Sequence, residues 1–154
     1  MASLTVRPVV GEDRAFISEL GRTTLLSSVA AFRTAPTPML ERSFERLLAI
    51  VYSQSHIGLI AELDGRPVGF VLMLDELPDE VTGMEQGFIA YMAVEPGRRR
   101  EGAGAALLKG VEDEARKRRL PYVSLMVTED NLAARTLYER AGYNTERRLL
   151  CKKL

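Results

Sequence analysis

The stretch from Phe88 to Leu108 constrains this chain more than any other. Phe88 to Val94 is an almost continuous apolar run, which predicts a strand buried on both faces. It breaks at Glu95-Pro96-Gly97, passes through a basic turn holding Gly102 and Gly104, and enters a helix with Leu107, Leu108, Val111 and Ala115 on one side. The first backbone N–H groups of a helix have no partner within it, and its dipole favours an anion there. Residues Arg99, Arg100, Glu101, Gly102, Ala103, Gly104 and Ala105 therefore form a candidate cradle for a phosphate group. It is not a nucleoside-triphosphate P-loop, since Gly-x-x-x-x-Gly-Lys-Ser/Thr is absent. Nor is it a dinucleotide fingerprint, because Leu107 stands where a third Gly or Ala is required.

The remaining pattern supplies the frame. Ser3 to Val10 is β-rich, and Gly11-Glu12-Asp13 leads into a helix carrying Phe16, Ile17, Leu20 and Leu25, which Gly21 and Thr23-Thr24 are expected to bend or break. After Pro36 and Pro38, the spacing of Leu40, Phe44, Leu47, Leu48 and Val51 predicts a second helix ending near Tyr52 to Ser55. Ile57 to Leu63 and Val68 to Leu74 flank Asp64-Gly65 and read as a hairpin. Residues 75 to 85 contain five acids and no base, which suggests an exposed loop. Downstream come a strand at Tyr122 to Thr128, a helix at Asn131 to Ala141 closed by Gly142, and a last strand at Leu149 to Lys153. On the helix before Leu120-Pro121, Glu112/Arg116, Asp113/Lys117 and Glu114/Arg118 each set an acid four residues ahead of a base. A hairpin combined with two strand-helix-strand crossovers predicts an α/β fold: a mixed, partly antiparallel and partly parallel sheet flanked by helices on both faces.

At 154 residues the chain is expected to form a single domain over 1 to 154, long enough to bury about 68–70% of its unfolded surface without disulfides. The 21 basic and 21 acidic residues cancel, so no global field gathers nucleic acid or an anionic membrane. Arg98 to Arg100 has no interleaved aromatic residue, which argues against a nucleic-acid patch. One His and one Cys fall short of a zinc ligand set, and no metal is expected. His56 reads as a surface residue at a strand start, and Cys151 as a packing residue. Neither a signal peptide nor a membrane span is expected, and a reducing cytoplasmic setting is the default for a lone cysteine.

Two motifs carry a resemblance. Arg99, Gly102 and Gly104, preceded by Val94 and Pro96, match the acyl-coenzyme A motif Arg/Gln-x-x-Gly-x-Gly/Ala of the GCN5-related N-acetyltransferase (GNAT) family. Asn131 followed by Leu137-Tyr138-Glu139-Arg140-Ala141-Gly142-Tyr143 resembles that family's second motif. The resemblance implies a V-shaped opening between the strand at 88 to 94 and the strand at 122 to 128. The backbone at Met92, Ala93 and Val94 would pair with the pantetheine amides of acetyl-CoA, and the turn from Arg99 to Ala105 would hold the pyrophosphate. Asn131 would orient the arm and Tyr138 would act as general acid for the leaving thiolate. Each has a structural alternative: Asn131 as a helix-start residue, Tyr138 as a core-facing aromatic.

The chain departs from the family at Ala90, where many relatives carry an acid that deprotonates the acceptor. Glu85 and Glu62 are the candidate replacements. A lysine-like amine costs roughly 4 kcal/mol to deprotonate near neutral pH, while an α-amine costs well under about 1 kcal/mol. Loss of the usual acid therefore leans toward an α-amino or other low-pKa acceptor, a small molecule or a peptide. The acidic stretch at 75 to 85 would favour a cationic one. A homodimer stays open as an assembly, and a non-catalytic acyl-CoA sensor of the same fold is the competing reading.

Overall fold

The computed structural model describes residues 1–154. Strand β1 (Leu4–Pro8) is followed by a short 3-10 turn and helix α1 (Arg14–Thr24), then α2 (Thr37–Ser53). Strands β2 (His56–Leu63), β3 (Arg66–Leu74) and β4 (Gly87–Val94) lead to α3 (Ala103–Lys117), β5 (Val123–Leu125) and α4 (Leu132–Arg140). The strands lie in one sheet in the order β1-β2-β3-β4-β5. All neighbours are antiparallel except β4 and β5, which are parallel because α3 crosses between them.

The period-two alternation of β2 divides the core. Ile57, Leu59, Ala61 and Leu63 point to the α3 face, where Leu107, Leu108 and Val111 are buried. Ile60, Phe70 and Leu72 point the other way, against Ile17 and Leu20 of α1 and Phe44, Leu48 and Val51 of α2. Helices thus cover both faces, as expected. The strand buried on both faces is β3, whose residues from Val68 to Leu74 are all buried, rather than β4, which is only half-buried along most of its length. A central strand has neighbours on both edges; β4 has an open one.

Four local expectations change. Helix α1 runs unbroken through Gly21 and gives way to a 3-10 turn only at Leu25–Ser28. Gly21 is where α2 closes in, since a Cβ there would run into the Phe44 ring. No strand forms at Leu149 to Lys153, so a single strand-helix-strand crossover remains. Asp113 pairs with Lys109 at 2.6 Å and Arg116 at 2.9 Å rather than with Lys117, which takes Glu114 at 2.9 Å. The acidic loop is not uniformly exposed either. Asp79 is buried, accepts from Thr82 N–H and Oγ1, and pairs with Arg147 at 2.6 Å, while Asp75 is held by Arg118 at 3.1 Å. No helix is long and apolar enough to cross a membrane.

Candidate active site

Strands β4 and β5 pair only where Gly87, Phe88 and Ile89 face Val123, Ser124 and Leu125, and then they part. The cause lies in the register of β4 against β3: Leu72 faces Tyr91 while the next residue, Met73, faces Ile89. Ala90 is thus an extra residue, a β-bulge, and bulges bend the strand that holds them. Its effect is visible in the packing, since Ala90 and Tyr91 both lie on the α1/α2 face, while Ile89 and Met92 face α3. Beyond Ile89 the edge of β4 toward β5 has no strand partner, which leaves the backbone from Ala90 to Val94 open along a V.

The open edge runs directly into the turn. Pro96–Arg98 makes a single 3-10 turn, Arg100 and Gly102 adopt positive φ of 68° and 88°, and α3 starts at Ala103. No side chain caps α3, and its first internal hydrogen bond is from Ala106 N–H to the Gly102 carbonyl. The N–H groups of Ala103, Gly104 and Ala105 have no partner within the helix, and the neighbouring Arg99 and Arg100 are exposed and form no ion pair. Unpaired helix-start donors beside two guanidinium groups are the features that an anion cradle requires.

The two glycines of the cradle serve different ends. Gly102 has only Leu4 near its missing Cβ, at 3.5 Å, so its backbone conformation is what requires glycine. A Cβ on Gly104 would meet Leu137 Cδ2 at 3.0 Å, so Gly104 is where α3 and α4 approach each other. The second contact matters because Leu137 precedes Tyr138.

Tyr138 is half-buried on α4 against the α3-side core. Gly142, at φ 93°, reverses the chain so that the Tyr143 N–H donates to the Tyr138 carbonyl and the two rings meet edge to face at 5.9 Å. Burial, with a smaller contribution from nearby Tyr91, pushes the Tyr138 phenol above its ordinary value. It therefore stays protonated at neutral pH. Asn131 caps α4, its Oδ1 accepting from Ala134 N–H at 3.2 Å, which leaves its amide NH₂ free.

The two candidate bases fare differently. Glu62 lies on β2, two strands from β4, and accepts from Arg7 Nε at 2.6 Å; the same guanidinium grips Asp13 at 2.8 and 2.9 Å. This pairing holds the Asp13 carboxyl below its usual range and leaves Glu62 engaged with Arg7. Glu85 is exposed, just ahead of β4, near the end where β4 and β5 are still joined. Neither carboxylate lies on β4 beside Ala90.

Tyr91 escaped the sequence reading because it sits within an apolar run. Its ring packs on Phe44 at 5.0 Å and Phe70 at 6.0 Å, and its hydroxyl meets Thr24 Oγ1 at 2.9 Å. Only the bulge at Ala90 turns it to that face. The α1–α2 and β5–α4 connections also meet, through Thr128 Oγ1 to the Ser28 carbonyl and Ala31 N–H to Asp130 Oδ2, each at 2.7 Å. A groove of about 450 Å³, lined by Phe16, Leu20, Thr23, Glu19 and Glu95, adjoins the turn on the α1 side. Another recess of about 400 Å³, bordered by Arg14, Tyr52 and His56, lies on the β1–β2 side of the sheet, apart from this chemistry.

Comparison with known proteins follows the same lines. The model of the acetyltransferase (GNAT) family matches residues 26–143. A [ribosomal protein bS18]-alanine N-acetyltransferase of Escherichia coli K12 is 38% identical over 61 residues, 40% of this chain and 41% of that protein. A Pyrococcus furiosus protein described provisionally as an acetyl transferase superposes with a TM-score of 0.83 at 25% identity, covering 99% of this chain and 100% of that one. The aminoglycoside N-acetyltransferase AAC(6')-Iy, solved in complex with CoA, superposes with a TM-score of 0.72 at 15% identity over 100% and 96% of the two chains, which speaks for the fold alone. The matched stretches span 27% to 62% of the lengths of the relatives found by sequence.

Proposed function

This chain belongs to the GNAT family of acetyltransferases, and from that premise we propose that it transfers an acetyl group from acetyl-CoA directly to a primary amine. The observation that carries the reading is the unpaired β4 edge from Ala90 to Val94 leading into the uncapped start of α3. An extended amide-bearing arm ending in a pyrophosphate fits both parts. Met92, Ala93 and Val94 offer the arm backbone groups in the manner of an added strand. Arg99, Arg100 and the N–H groups of Ala103, Gly104 and Ala105 receive the pyrophosphate, with Glu101 and Gly102 shaping the turn. The free amide NH₂ of Asn131 orients the arm.

Nitrogen attacks the thioester carbonyl, the C–N bond forms and the C–S bond breaks. Tyr138, kept protonated by burial, donates its proton to the departing sulfur. A thiol with pKa near about 8.5 needs only modest help to leave, so this contribution is bounded. The nitrogen loses its proton to solvent. Glu62 is committed to Arg7, and Glu85 is the carboxylate left to assist through water.

With no acid at Ala90, the acceptor we propose is one already neutral in part near pH 7, an α-amine of a small molecule or a peptide. The name of the E. coli relative gives an alanine of a ribosomal protein as its acceptor, which supports that class. The test is incubation with acetyl-CoA and a panel of amines and short peptides, with released thiol as the readout. Turnover fastest on α-amines is expected. Tight CoA binding without turnover on any amine would replace the enzyme reading by a sensor of the same fold.

A further inference from the structure

We propose that the recess between the start of β2 and the start of α1 is a second ligand site, built for a small carboxylate with an apolar body. The recess exists because β1 leaves the sheet early. Its register with β2 ends at Pro8–Leu59, and its last bond runs from the Val9 N–H to the Gly58 carbonyl at 2.9 Å. The chain then turns away through Val10 and Gly11 toward α1, so the first residues of β2 have no strand beside them on that side. The space left, about 400 Å³, suits a small organic molecule. Strand β3 separates this edge from β4 and its turn.

Two donors bordering the recess are unspent. The Arg14 guanidinium lies 4.4 Å over the Tyr52 ring and makes no ion pair. The Tyr52 hydroxyl is buried and has no hydrogen-bond partner. A buried polar atom without a partner costs stability, and a phenylalanine would fill the same space without that cost. Burial raises the Tyr52 phenol above its ordinary value, with Arg14 opposing, so the hydroxyl keeps its proton and can donate it. A cation and a hydroxyl donor on one side chain's ring match the two oxygens of a carboxylate.

The remaining charges are met within the wall. Arg118 spends Nη1 on Glu114 at 2.7 Å and Nε on Asp75 at 3.1 Å, while Lys117 holds Glu114 at 2.9 Å. His56 places Nδ1 against the Gln54 carbonyl at 2.8 Å. Arg14 is thus the one uncompensated charge, which a single carboxylate balances and a phosphate dianion exceeds. Val9, Ile57 and Leu59 offer apolar surface to the rest of the ligand.

The test uses the full chain, with benzoate as the probe and benzamide and inorganic phosphate as controls. In amide NMR spectra benzoate is expected to shift His56, Ile57 and Gly58 saturably, at concentrations where neither control moves them. Arg14→Gln should weaken this binding at least about tenfold, because it removes the charge; Arg14 is exposed, so the fold is not at stake. Tyr52→Phe should weaken it about threefold or more and leave the melting temperature without benzoate unchanged or higher. Shifts absent from His56 to Gly58, or confined to Ala103, Gly104 and Ala105, would overturn the proposal, the second result by placing the anion at the start of α3. Benzamide binding as tightly as benzoate, or either variant binding as tightly as the wild type, would overturn it as well. So would a lower melting temperature for Tyr52→Phe without benzoate, since the hydroxyl would then have a partner in the unliganded protein.

Discussion

The β2–β3 pair and the β4–β5 pair belong to one sheet but are built for different ends. Strands β2 and β3 face each other from His56–Leu74 to Leu63–Arg66, with helices on both sides and Val68 to Leu74 wholly buried. Strands β4 and β5 share three positions and then diverge at a bulge. Continuous pairing buries apolar surface, while interrupted pairing leaves backbone groups free for something that arrives later. Stability should therefore concentrate in the first pair and ligand binding in the second.

The strongest way to break this contrast is to truncate both halves. Phe70→Ala empties a fully buried site on β3 and should cost about 3–5 kcal/mol by urea denaturation. Val123→Ala, on half-buried β5, should cost no more than about 1 kcal/mol. Equal losses would show that the sheet is energetically uniform. Gly102→Glu comes next, since it places a side chain at φ 88° and a negative charge at the cradle. CoA affinity measured by calorimetry should fall more than about tenfold, or 1.4 kcal/mol; affinity retained by a folded variant would move the pyrophosphate elsewhere.

Tyr138→Phe sharpens the contrast within the open half. It removes only a hydroxyl, so kcat should drop about tenfold while CoA affinity stays nearly unchanged. In the wild type the raised phenol pKa means that this proton is available throughout the neutral range, so kcat should show no loss from Tyr138 until above pH 10. An unchanged kcat with chemistry rate-limiting would remove the hydroxyl from the reaction. Asn131→Ala should cost about 1 kcal/mol as a lost helix cap, detectable by thermal melting. A rise in the KM for acetyl-CoA beyond that would show the amide at work on the arm.

The smallest effect belongs to acid. The Asp13 carboxyl is depressed first by Arg7, so its contribution is fully present above its unfolded pKa of about 3.9 and is lost as pH falls through the lower folded value. Asp13→Asn should therefore flatten the acid limb of a stability-versus-pH curve. An unaltered limb would mean that the Arg7 network contributes nothing measurable.

Much of this was legible in the residues. The turn from Arg99 to Ala105, the Asp64-Gly65 hairpin and the cap pair Asn131 and Gly142 depend on neighbours a few positions away, and local backbone preference is enough to place them. Ile57 to Leu63 announced its strand through composition, and the amphipathic α3 through its period. Elements of this kind carry their own instructions, because the groups that stabilise them lie within one or two turns of chain.

What the tertiary structure decided involves partners far apart in sequence. Glu62 looked like a free carboxylate until Arg7, 55 positions earlier, was seen to hold it. Leu149 to Lys153 has the composition of a strand, but a strand exists only where another edge meets it, and in the single chain none does. The methyl of Ala90 gives no sign of a bulge; the extra residue becomes apparent only in the count of β4 against β3. That one offset opens the V and turns Tyr91 to the α1/α2 face, because register is a property of two strands and cannot be written in either alone.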